Sequence, residues 1–162
     1  AENKVKDARA LARDGLGEAR RAFAALSEPP ADAMVAGEQL IASLASLLEA
    51  HRSLGGEVAF TENGPRREIS EKLEVAVRRA VQEGLTNIRK HVPGAPASIS
   101  LDWGTDSLGL VISNPVTGVA RKTAGGHGLV GMSSRFAALP GGSASAKSQH
   151  GQFVVHAQAR IA

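Results

Sequence analysis

The chain of 162 residues has no cysteine and no tyrosine, one tryptophan and four phenylalanines. Without cysteine there is no disulfide, no zinc-thiolate centre and no cysteine nucleophile, and the chain fits a reducing compartment. No hydrophobic run approaches the roughly 18 residues of a membrane span, and no signal peptide is visible at the start. The scarcity of aromatics leaves few platforms on which bases could stack. Charge points the same way: 19 basic and 16 acidic residues give a net charge of +3, and the two signs are interspersed, as in Arg66-Arg67-Glu68. No direct contact with nucleic acid is expected from such a surface. The chain opens at Ala1, in what reads as helix interior, so a piece of a longer protein is expected, with any targeting segment upstream.

The length suits one well-buried domain with a small appendage. Residues 2–26 carry Val5, Ala8, Ala12, Leu16, Ala19, Phe23 and Leu26 at spacings of three and four, a heptad-like seam that needs a partner helix from the same chain or a second one. Gly15 and Gly17 weaken that helix by about 1 kcal/mol each relative to alanine. Pro29-Pro30 ends it and sets the boundary between an arm over 1–29 and the main domain over 30–162. A second helix is predicted over 32–53, with Leu40, Ile41, Leu44, Leu47 and Leu48 apolar and Gly55-Gly56 as its stop. Residues 57–61 form a short strand candidate and Asn63-Gly64-Pro65 a turn. A third helix starts near Ser70, a suitable N-cap, and runs to His91.

Strict alternation follows. Ile99, Leu101 and Trp103, then Leu108, Leu110 and Ile112, flank a Gly/Asp turn and predict a hairpin ending at Asn114-Pro115. Residues 115–123 lack periodicity and read as a mobile loop. A helix with Leu129, Met132, Phe136 and Leu139 inward comes next, stopped by Pro140-Gly141-Gly142, and a second hairpin over 143–147 and 153–161 closes the chain. Helices segregated from hairpins predict an α+β fold, a two-layer α/β sandwich on a mostly antiparallel sheet.

Two places carry candidate chemistry. On the third helix, Glu83, Asn87 and Lys90 fall within about 60° of one another, with His91 at the edge, while Val77, Val81, Leu85 and Ile88 lie opposite. A solvated polar face would have the same pattern. Some forty residues on, Gly125-Gly126-His127-Gly128 opens a helix, where unpaired amides and the dipole favour an anion and missing Cβ atoms admit a phosphate; a flexible connection is the plainer alternative. No Gly-Lys-Ser/Thr is present, so this is not a P-loop. Together the two make sense of each other: a bound polyphosphate calls for Mg²⁺, an ion of oxygen ligands, and Asn87 with Glu83 can supply them.

The segment Gln82-Glu83-Gly84-Leu85-Thr86-Asn87-Ile88-Arg89-Lys90-His91 resembles the N-box of bacterial sensor histidine kinases. Gly126-His127-Gly128-Leu129-Val130-Gly131-Met132, with Arg135 and Leu139-Pro140-Gly141-Gly142 after it, resembles the G-box and following helix of the subfamily that pairs with response regulators bearing a helix-turn-helix output domain. The resemblance covers residues 32–162 in order and spacing, and residues 1–27 resemble the second helix of that family's dimerisation and histidine-phosphotransfer hairpin. It implies the Bergerat ATP-binding fold of GHKL ATPases, with ATP and Mg²⁺ as cofactors. By resemblance Asn87 coordinates Mg²⁺, Glu83 orients a metal-bound water or polarises the site, and Lys90 and His91 approach the phosphates. Gly126, Gly128 and Gly131 make the G-box, His127 and Leu129 place the lid, and Met132 belongs to the nucleotide-binding set.

The adenine end departs from the family pattern. Asn114 stands where the family has the Asp of Asp-x-Gly-x-Gly, and Gln152 where it usually has the Thr that supports that Asp. A carboxamide still accepts from the adenine amino group through its oxygen, without charge assistance, at a cost of around 1 kcal/mol or about tenfold in affinity at most. None of the five histidines, His51, His91, His127, His150 and His156, has the context of a phosphoacceptor, which is expected upstream. The resemblance further implies a helix-turn-helix response regulator as partner, a homodimer in the full-length protein, and a cytoplasmic domain anchored to a membrane only through upstream segments. Another GHKL-type ATPase, such as an anti-sigma serine kinase, and a degenerate non-catalytic dimeric scaffold are the competing functions.

Overall fold

The computed structural model describes residues 33–116 and 127–162, with Gly15, Ala19, Phe23 and Leu26, and His127 by its backbone alone. The chain divides into two units, Ala1–Ala31 and Asp32–Ala162. In the first, the four described residues are helical and exposed. The rest of the heptad-like seam, most of the expected loop after β5, and Gly125-Gly126 lie outside the described residues.

The second unit runs β1 (Met34–Val35), α1 (Gly37–Ser53), β2 (Val58–Asn63), β3 (Ile69–Ser70), α2 (Glu71–His91), β4 (Ala97–Trp103), β5 (Ser107–Pro115), α3 (His127–Ala137), β6 (Ser143–Gln149) and β7 (Gln152–Arg160). Five strands make one sheet in the order β2-β4-β5-β7-β6. Only β2 and β4 pair in parallel; the other neighbours are antiparallel. The α+β expectation is met.

Alternation sets which face of the sheet is covered. Ile99, Leu101 and Trp103 on β4 and Leu108, Leu110 and Ile112 on β5 are all at most 5% exposed, whereas the residues between them are more open. A period of two with one buried face is what a sheet covered on one side requires. Leu40, Leu44 and Leu48 of α1, Val77, Val81, Leu85 and Ile88 of α2, and Met132 and Phe136 of α3 join those strands in one core. The helices thus form one layer and the sheet the other. The β6–β7 register pairs Gln149 with Gln152, leaving His150-Gly151 as a two-residue loop. Both have positive φ, 51° and 73°, as a type I′ turn demands, and its twist matches that of the strands.

Two features differ from the sequence expectation. Helix α1 begins at Gly37 rather than near residue 32, because Met34–Val35 pair antiparallel with Ile69–Ser70 in a separate two-stranded sheet. The Glu71 amide donates to Ala33 O and the Ser70 amide to Ile161 O, tying the start of α2 to the entering chain and to the carboxyl end. Strand β2 also runs on to Asn63, whose Nδ2 donates to Asp102 Oδ1 at 2.7 Å across the parallel pair. Ser70 caps α2 as expected, its Oγ accepting from the Leu73 amide at 3.2 Å. Among the described residues no helix is long and apolar enough to cross a membrane.

Candidate functional site

Helix α2 packs on the sheet beside α3. Gly84 makes the approach to the sheet possible: a Cβ there would sit 3.1 Å from Ile112 Cδ1 on β5. Its neighbour Glu83 and, one turn on, Asn87 are half-buried, while Lys90 and His91 are exposed at the end of the helix. The polar stripe is therefore split, one half solvated and the other turned toward α3.

Gly128, in the first turn of α3, is where the two sequence candidates meet. A Cβ at that glycine would lie 3.9 Å from Glu83 Oε2 and 4.0 Å from Asn87 Nδ2. The glycine thus keeps open the space between the amino-terminal turn of α3 and the two side chains. Further along α3, Leu129 packs half-buried against the core, Met132 is 1% exposed within it, and Gly131 is half-buried. Met132 is thus a core residue of α3. Gly126 and the His127 side chain lie outside the described residues.

Glu83 has one oxygen engaged and one open. Arg135 Nη2 donates to Glu83 Oε1 at 3.4 Å, longer than an ordinary N–H···O bond. Glu83 Oε2 and Arg135 Nη1 are buried without a hydrogen-bond partner among the described residues. A buried polar atom left unpaired costs about 1–3 kcal/mol, more when charged. Nothing in the spacing of the sequence links residue 135 to residue 83. The resemblance named Arg135 after the G-box without giving it a role.

Asn114 lies on the same sheet face as Ile112, one pleat and about 7 Å further along β5, and is 4% exposed. Its Nδ2 donates to Pro115 O at 3.1 Å, which leaves the carbonyl oxygen as the acceptor end of the carboxamide. Gln152 is exposed on β7 opposite Pro115, diagonal to Asn114. Among the described residues no three His, Cys, Asp or Glu side chains form a metal cluster.

The far side of α2 has a second polar contact that the sequence did not announce. Arg89 Nη1 lies 3.1 Å from Nδ1 of His51 on α1, and Nη2 donates to Thr86 Oγ1. An arginine can only donate, so Nδ1 accepts and the ring is neutral with its proton on Nε2. Burial, then the charges of Arg89 and Arg52, push the His51 pKa below its ordinary range. The unfolded chain takes up a proton near pH 6.5 that the folded chain refuses, so this contribution to stability is complete above that pH and lost as pH falls below it. Urea unfolding followed from pH 7.5 to 5 should show that loss, at no more than about 1.4 kcal/mol per pH unit from this group. His51→Gln, which keeps an acceptor but does not titrate, should flatten it.

Comparison with known proteins bears on the fold. No protein-family model matches the chain. The chain is 37% identical over 125 residues to the sensor histidine kinase LnrJ of Bacillus subtilis (strain 168), an alignment covering 76% of this chain and 31% of that protein. It is 28% identical over 141 residues to the signal transduction histidine-protein kinase/phosphatase DegS of Brevibacillus brevis, covering 85% and 36%. The chain thus spans about a third of the length of these relatives. Among solved structures, the catalytic domain of histidine kinase ThkA superposes with a TM-score of 0.58 at 12% identity, covering 80% of this chain and 96% of that one. The histidine kinase AdeS of Acinetobacter baumannii superposes with a TM-score of 0.61 at 11% identity, covering 80% and 68%. By sequence the chain is similar to sensor histidine kinases over about a third of their length, and its fold is that of the histidine-kinase catalytic domains it superposes on.

Proposed function

We propose that this domain binds Mg-ATP and positions its γ-phosphoryl group for transfer to a histidine supplied outside these residues, as the catalytic part of a two-component sensor kinase. The observation that carries the proposal is the meeting of Glu83 Oε2 and Asn87 at Gly128, where a buried oxygen without a partner among the described residues faces the first turn of a helix. The residues fit the cofactor by their chemistry. A carboxylate oxygen and a carboxamide that can present its oxygen suit a hard cation, and α3 offers unpaired amides and a positive dipole end to phosphate. When bound, Mg²⁺ would neutralise phosphate charge.

The chain's own groups then divide the work. Asn87 would hold the metal, Glu83 would orient a water or polarise the site, and Gly128 and Gly131, with Gly126 ahead of them, would leave α3 bare toward the phosphates. Lys90 and His91, exposed beyond Asn87, would add positive charge or a hydrogen bond at the outer edge. Asn114 would accept from the adenine amino group, with Gln152 beside it at the strand end. Such a site contributes position and charge, which is what phosphoryl transfer needs. The full protein would act as a homodimer on a response regulator with a helix-turn-helix output domain, membrane-anchored through other segments.

Titration calorimetry should give micromolar to sub-millimolar Mg-ADP binding; heat that shows none would sink the proposal. Incubation with a separately made acceptor hairpin and ATP should yield acid-labile phosphohistidine, which an anti-sigma serine kinase would not make. A non-catalytic dimeric scaffold is the second reading, favoured by Asn114 and Gln152. Asn114→Asp discriminates: it should tighten ADP binding by up to about tenfold if this position reads adenine, since an ionised acceptor roughly doubles the hydrogen-bond strength. On a scaffold the substitution changes nothing but a buried charge.

A further inference from the structure

Arg135 belongs to α3 yet reaches Glu83 on α2, and it does so with half of its guanidinium. Two parallel bonds would occupy both carboxylate oxygens. Here Nη2 alone meets Oε1, and Oε2 stays open beside Asn87 and the Cα of Gly128. The terminal torsion of a glutamate is broad, so a carboxylate without a partner would sample many settings. A Cβ at Gly131, one turn before Arg135, would lie 3.8 Å from Arg135 Nη2, in ordinary contact, so the guanidinium runs along this face of α3.

We propose that Arg135 is a positioning residue for Glu83: by taking Oε1 from α3, it turns Oε2 toward the space shared with Asn87 and couples the setting of that carboxylate to the seating of α3. The proposal rests on the kinase reading of the same site and names a residue that the sequence resemblance left without a role. Arginine suits the task because it stays charged at any relevant pH and its planar fork sets direction as well as distance. Lysine would keep the charge and lose the direction.

The test uses the 162-residue chain, ATP and a separately made acceptor hairpin, with Mg-ADP calorimetry in parallel. Arg135→Gln should lower the transfer rate at saturating ATP by about 10- to 100-fold, as loss of an outer partner of a metal-site group does. Mg-ADP affinity should shift by less than about threefold, a loss in kcat rather than in binding. Arg135→Lys should recover part of the rate. In a Glu83→Gln background, Arg135→Gln should have little further effect, because the group it sets is gone. The proposal is overturned if Arg135→Gln transfers at the unaltered rate, if its loss is as large in the Glu83→Gln background, or if reduced Mg-ADP affinity accounts for it. Loss of folded far-ultraviolet circular dichroism in both Arg135 variants would make the contact a structural tie and equally overturn it. Absence of transfer by the unaltered chain would fail the kinase reading and this inference together, whereas transfer retained in Arg135→Gln fails the inference alone.

Discussion

Asn87→Ala is expected to abolish the magnesium-dependent part of nucleotide binding while leaving the fold intact. The side chain is half-buried beside the first turn of α3 and lies outside the core cluster, so its truncation should shift the unfolding midpoint by less than about 1 kcal/mol. The binding effect should be far larger. Removing the carboxamide proposed to hold the metal should weaken Mg-ADP by at least about a hundredfold, or about 2.7 kcal/mol, and bring affinity with Mg²⁺ down to that without it. Calorimetry in the presence and absence of Mg²⁺, with urea unfolding as the control for folding, measures both quantities. Equal Mg-dependent binding in the variant would remove Asn87 from the metal and shift weight to the scaffold alternative.

Phe136→Ala carries the largest expected loss of stability. Phe136 is 1% exposed and, with Met132, seats α3 on the core. Truncating a buried phenylalanine costs about 3–5 kcal/mol, against a total of about 5–15 kcal/mol for a domain. The midpoint of urea unfolding should fall accordingly, and Phe136→Leu, which keeps most of the volume, should cost less than about half as much. Because α3 also carries Gly128, Gly131 and Arg135, the variant should be recovered in part by Mg-ATP. A ligand at a hundred times its dissociation constant restores about 2.7 kcal/mol. Failure of saturating Mg-ATP to raise the midpoint would separate the stability of α3 from nucleotide binding.

The parts of this protein that were legible in its sequence are those with a short period. Ile99, Leu101, Trp103, Leu108, Leu110 and Ile112 declare a covered sheet by alternation alone, and all are buried. Ser70 declares a helix start, and Val77, Val81, Leu85 and Ile88 its inner face. Asn114, singled out in the sequence only by the resemblance, proves to continue the inward series of β5. The hidden parts depend on distant pairs. Met34–Val35 and Ile69–Ser70 are two residues each, too short to show any period, and their pairing moved the start of α1. The parallel register of β2 with β4 leaves no local mark.

For the site, helix spacing placed Glu83 and Asn87 on one face but could not say which part of that stripe water would claim. Packing decided it: Glu83 and Asn87 turn toward α3, and Lys90 and His91 stay outside. The pairs Glu83 with Arg135 and His51 with Arg89 are separated by 52 and 38 residues, and only the tertiary fold brings them together. Gly84 was read as part of a motif. Its close approach to Ile112 is what brings α2 within one pleat of Asn114.

The parallel pairing of β2 with β4 bears on the order in which the molecule assembles. The β4–β5 and β6–β7 hairpins join strands through tight turns, and such local closures take microseconds. The β2–β4 pair closes only after the whole of α2 has been threaded between its strands, a longer loop with a larger entropic cost. The helix that bears Glu83 and Asn87 is that crossover. Its docking is therefore expected late in folding, and a partly melted chain is expected to lose the face that carries Glu83 and Asn87 before it loses its hairpin pairings.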